Sequence, residues 1–146
     1  MASSFGFGKR VDLGFDEAID KVTADLQTEG FGVLSDIDVA AKLKEKLDKD
    51  MPRYRILGAC NPPLAWDAIH AVEDIGLLLP CNVIVREVDG QVAVDSMDPG
   101  LMATMGLFSS RADPPVRYTR PSQANGLWIA CNPIRDMRHS SRPSRS

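Results

Sequence analysis

The chain has 146 residues, 44% hydrophobic and 25% charged, with a formal net charge of −3 at pH 7. A chain of this size buries about two thirds of its unfolded surface in a single core without help from disulfides or metals. The charge excludes the basic composition of a nucleic-acid binder, and no window approaches the ~18 apolar residues of a membrane span. Residues 1–14 hold no apolar segment of signal-peptide length, so a cytoplasmic location with reduced thiols is expected; the three cysteines cannot all pair within one chain.

Residues 5–11 read as a weak first strand. Phe15, Ala18, Ile19, Val22 and Leu26 recur at intervals of three and four, which predicts an amphipathic helix over 15–29 with Asp16, Glu17, Asp20, Lys21 and Asp25 on its outer side. Gly30 stands where a left-handed residue ends a helix, and residues 31–34 then read as a buried strand. Ser35, Asp36 and Asp38 supply caps for a second helix. That helix is apolar at Val39, Leu43 and Leu47, solvated along its lysines from Lys42 to Lys49, and expected to end near Asp48.

Residues 54–59 are strand-like, and Asn61 caps a third helix over 63–72 whose first turn carries Pro63. Trp66, Ile69 and Val72 are expected to face the core. Residues 77–88 form the longest β-like run, interrupted by Pro80, which has no N–H to give a ladder. Asp89-Gly90 is a tight-turn signal, followed by a returning strand over 91–95. The order βαβαβαββ predicts a two-layer α+β domain, with helices packed on one face of a mixed β-sheet.

Residues 97–100 open a last helix, apolar at Leu101, Met102 and Met105, and there the pattern stops. Residues 1–106 carry a balance of −8, whereas residues 107–146 carry +5, with seven Arg, five Pro and seven Ser and no Lys or Glu. The expected organisation is one domain over 1–106 and a disordered Arg/Ser/Pro-rich tail over 107–146.

Candidate chemistry gathers where two strand-like segments meet Cys-Asn pairs, at Cys60-Asn61 and Cys81-Asn82. On neighbouring strands these thiols would form a redox pair, a nucleophile, or part of a soft-metal site for Cu(I) or Zn. Two thiols outside a CxxC make an incomplete zinc set, and the structural alternative is two small buried hydrophobes. Asn61 and Asn82 are candidate ligand-binding carboxamides; for Asn61 the helix cap is the better reading, and Asn82 stays open between ligand carboxamide and turn residue. His70, three residues after Asp67 on a helix, suggests a carboxylate-oriented imidazole, against the simpler reading of a solvated pair. Arg53, Arg55 and Arg86 would hold an anion at a pocket mouth, although alternate strand positions often face solvent.

Several ordered segments together resemble family 302 of domains of unknown function: Glu17-Ala18-Ile19, residues 29–34, Asp38, residues 54–62, Ala65, and Ile75 to Val83. The resemblance spans about residues 5–105. It implies a small α+β domain that forms homodimers, and it implies no activity or cofactor. Members resembling this chain continue into a long closing helix, so the truncated last helix and altered composition here imply a divergent terminus or a shifted reading frame. Three functions follow as expectations: a small binding module with a ligand or metal pocket near Cys60 and Cys81, a thiol-dependent enzyme or redox protein using one of them, and an interaction protein with no pocket.

Overall fold

The computed structural model describes residues 5–98. The expected last helix from Pro99 onward, the tail, Trp128 and Cys131 lie outside the described residues. The elements run β1 (Gly6–Val11), α1 (Phe15–Thr28), β2 (Gly32–Asp38), α2 (Val39–Leu47), β3 (Tyr54–Cys60), α3 (Pro62–Ala71), a 3-10 helix (Glu73–Leu78), β4 (Cys81–Val88) and β5 (Gln91–Met97). The order βαβαβαββ therefore holds. The five strands lie in the order β1-β5-β4-β3-β2, and every pairing is antiparallel rather than mixed. The reason is that β1 and β2 go to opposite edges, so strand direction alternates all the way across.

Local chemistry sets the helix ends. Glu17 accepts the Gly14 N–H at the start of α1. At its end Phe31 N–H bonds Leu26 C=O (2.9 Å) and Gly30 N–H bonds Gln27 C=O (3.1 Å), with Gly30 at φ 83°. That is a complete Schellman closure, and it drops Phe31 onto Leu26 in the core. β2 runs four residues further than the buried strand predicted at 31–34, because Ser35 to Asp38 pair with β3; only Asp38 serves as a cap, accepting from Ala41 N–H at 2.9 Å. The β4–β5 turn places Asp89 and Gly90 both at positive φ, the geometry that matches strand twist in a two-residue hairpin.

Period-two alternation gives the sheet two unlike faces. On the helix face, Leu57, Ala59, Val83, Val85, Val92 and Val94 pack beneath Phe15, Ala18, Val22, Leu26 and Phe31 in one buried cluster. Each large aliphatic side chain closed off there contributes about 1.5–3 kcal/mol of burial. Of the apolar run 77–85, Val83 and Val85 belong to the buried cluster beneath α1. Leu77 is 86% exposed, because Pro80 breaks the run and residues 73–78 wind into a 3-10 helix instead of extending the strand.

Candidate functional site

The strand register places each predicted site residue. Ala59 pairs with Cys81, so Cys60 sits one residue beyond that pair on the neighbouring strand. The thiols are close in the ladder and both half-buried, with no disulfide between them. One step of offset nevertheless sends them to opposite faces: Cys81 shares the helix face with Ala59 and Val83, and Cys60 shares the outer face with Gly58. The two Cys-Asn segments thus lie on neighbouring strands and enter the ladder one residue out of phase. Asn82 pairs with Gly58 and so joins Cys60 on the outer face.

Asn61 is a cap. Its Oδ1 accepts Leu64 N–H at 3.3 Å, with prolines in the first turn of α3 behind it. His70 does not meet Asp67. Its Nδ1–H donates to the Trp66 carbonyl oxygen (2.8 Å), and its ring lies 4.2 Å from the Trp66 ring. Trp66 and Ile69, expected in the core, are 66% and 43% exposed, because α3 packs mainly on the following 3-10 helix rather than across the sheet. No group of three or more His, Cys, Asp or Glu among the described residues is arranged to hold a metal.

The arginines separate as well, each with its own acid. Arg55 lies on the helix face at the β2 edge. Its Nε donates to Asp36 Oδ1 (2.7 Å), its Nη2 donates to Asp36 Oδ2, and Asp38 stands 3.8 Å from Nη1. The Asp36 hydrogen bond raises the Arg55 pKa further, so this bidentate clamp ties β2 to β3 at any ordinary pH. Arg53 donates to Asp16 at 2.6 Å and lies 4.0 Å above the Phe15 ring, joining the start of α1 to the start of β3. Its hydrogen bond holds the Asp16 carboxyl below its ordinary value.

Arg86 occupies the outer face, with Tyr54 and Ala93 as its cross-strand neighbours. Its Nε donates to Asp95 Oδ2 at 3.0 Å. The three acids that partner these arginines, Asp16, Asp36 and Asp95, escape sequence reasoning because each pairing crosses between separate elements and depends on their register. Only Asp95 lies on the outer face, opposite Ile84; Asp36 pairs with Leu57 at the margin of the helix face, and Asp16 lies in the first turn of α1.

Beside Arg86 runs a row across the outer face: Ile37 pairs with Ile56, Ile56 with Ile84, Ile84 with Asp95, and Asp95 with Gly8. Ile37 is 47% exposed, and Ile56 and Ile84 are only half-buried. At the neighbouring end of β2, α2 packs against β3 yet buries none of its residues fully, and Leu43, Leu47 and the following Met51 are exposed.

This is a small α+β domain with an antiparallel open sheet, packed by α1 on one face and carrying a partly solvated isoleucine row beside the Arg86–Asp95 pair on the other. The chain belongs to the family described as domain of unknown function DUF302, which matches residues 7–113. It is similar to the crystal structure of an uncharacterized conserved DUF302 protein from Bacillus stearothermophilus, at 30% sequence identity and a TM-score of 0.66, covering 71% of this chain and 82% of that one. No curated protein matches the chain. Among the described residues no helix is long and apolar enough to cross a membrane.

Proposed function

We propose that this domain is a self-associating protein-interaction module, with a second copy of the chain covering the outer sheet face and the apolar stripe of α2. The observation that supports it is the isoleucine row Ile37–Ile56–Ile84, left partly in solvent next to a helix that buries none of its apolar residues. Branched side chains in register on a pleated surface are what a sheet uses to pack, and contiguous apolar surface of this kind marks an association site. The partner is a second copy because α2 and the turn after it interleave both signs, with Lys42, Lys44 and Lys46 beside Glu45, Asp48 and Asp50. Lys42 pairs with Glu45 and Lys44 with Asp48 and Asp50 within the chain, so this rim is locally neutral and does not repel its own copy across a two-fold axis. The offset that divides Cys60 from Cys81 weighs against a two-thiol redox or metal centre as the main activity.

Sedimentation of the full chain over a wide concentration range tests the reading. The wild type is expected to form a dimer, and Ile56→Glu and Leu43→Glu are each expected to yield a folded monomer. A wild type that stays monomeric throughout, or variants that dimerise as it does, would overturn it.

A further inference from the structure

Resting on that interface reading, we infer that Arg86 is its polar anchor, taking a carboxylate of the second copy through the outer edge of its guanidinium. The group is built into the sheet rather than loose on it. Nε donates to Asp95 Oδ2 at 3.0 Å, and the Asp95 side chain is only 15% exposed. Asp95 in turn lies over Gly8: a Cβ on Gly8 would stand 2.0 Å from Asp95 Oδ1 and 2.5 Å from the Val94 carbonyl oxygen. The bare backbone of β1 thus makes room for the carboxylate that aims Arg86.

A guanidinium has five N–H donors, and Asp95 engages one. Among the described residues, Nη1 and Nη2 make no further hydrogen bond. Their shared edge matches the two oxygens of a carboxylate, the strongest arrangement available to arginine. Tyr54 and Ala93 flank Arg86 across the ladder, and Ile56 and Ile84 occupy the adjoining row. A partner that covers these residues also strips water from Arg86. Covering it with apolar groups alone would leave desolvated donors unmade, which is costly, whereas a carboxylate satisfies them and gains from the lowered local dielectric.

Asp95 already neutralises Arg86, so any second anion must itself be placed by the interface. The described residues hold eighteen Asp and Glu against ten Lys and Arg, giving a second copy carboxylates to offer. A hydrogen-bonded ion pair of this kind sets the register of a self-complementary face that flat isoleucines alone specify poorly.

The experiment is sedimentation equilibrium on the full chain carrying Arg86→Ala, Arg86→Lys or the double change Arg86→Ala/Asp95→Ala, with thermal melts taken where every form is monomeric. The expected result is a dimer dissociation constant raised about tenfold or more in Arg86→Ala and the double variant, with lysine restoring it only in part because it lacks the planar fork. Wild-type dimerisation should weaken as salt is raised from 50 to 500 mM, roughly as expected for a partly screened pair, and Arg86→Ala should lose that dependence. The double variant separates the anchor from folding, since it leaves no unpaired buried Asp95. Dimerisation unchanged in all three variants, while Ile56→Glu still yields monomer, would overturn the anchor and leave the interface standing. A wild type that never dimerises would remove both. A dimer that acetate dissociates at the same concentration in wild type and Arg86→Ala would also overturn the anchor.

Discussion

The two faces of this sheet are woven from the same strands and largely from the same branched residues, and they meet opposite fates. On the helix face Leu57, Val83, Val85 and Val94 are at most 2% exposed beneath α1. On the outer face Ile56 and Ile84, one residue away along the same strands, remain half in solvent. The polar residues differ in the same way. Arg55, on the helix face, is spent on a bidentate clamp to Asp36 at the sheet edge, whereas Arg86 engages Asp95 through one nitrogen and keeps a donor edge outward. Apolar content therefore does not define the core; what covers a face does.

The sharpest test of that contrast places a charge on each side. Val22 is 1% exposed in the centre of the α1 stripe, so Val22→Asp should cost about 4 kcal/mol or more by burying an unpaired carboxylate, enough to unfold a domain of ordinary stability. Ile56→Glu, whose carboxylate reaches water, should cost only about 1–2 kcal/mol in the monomer. Denaturant titration of both decides it; a cooperative, stably folded Val22→Asp would mean that the helix face is not the core.

Backbone approach gives a second, smaller comparison, this time between the two edges of the sheet. Gly8→Ala on β1 forces a methyl into Asp95 and the Val94 carbonyl, whereas Gly32→Ala on β2 meets nothing within 4 Å. Alanine at position 8 should destabilise by about 2 kcal/mol and loosen the Arg86–Asp95 pair, and alanine at position 32 should be close to neutral. Equal melting temperatures for the two variants would show that β1 does not seat Asp95 as described.

The smallest effect concerns the exposed ion pair at the start of α1. Because Arg53 lowers the Asp16 pKa in the folded state, the pair's contribution is present above the ordinary value of 3.8 and is lost as pH falls through the lowered one. Asp16→Asn should therefore melt slightly below wild type near neutral pH and converge with it below about pH 4. A gap that persists unchanged into acid would assign the difference to something other than the charge pair.

Much of the architecture was legible because it depends on chain neighbours. The 3.6-residue stripe of α1, the Gly30 stop, the Asn61 cap, the Asp89-Gly90 turn and the element order each follow from side chains within a few positions of one another. The site was legible only as a list of residues. Cys60 and Cys81 look equivalent in sequence, since each adjoins an asparagine at a strand end, but their faces depend on a one-residue offset between strands twenty residues apart in the chain. The arginines likewise announced charge and not partners, because Asp16, Asp36 and Asp95 reach them only after α1, β2 and β5 have taken their places.

By itself, then, the sequence determined an α+β domain of this family, its helix ends, its hairpin and the α1 side of its core, all of which rest on local periodicity and turn chemistry. Only the tertiary structure decided that the sheet is antiparallel throughout, that the two thiols part company, that α2 and the isoleucine row stay partly in solvent, and that Arg86 stands among them with a donor edge outward. Those outcomes turn on register and on which surface lies over which. With a side-chain period of two, a shift of one residue exchanges the faces without altering the composition of either strand.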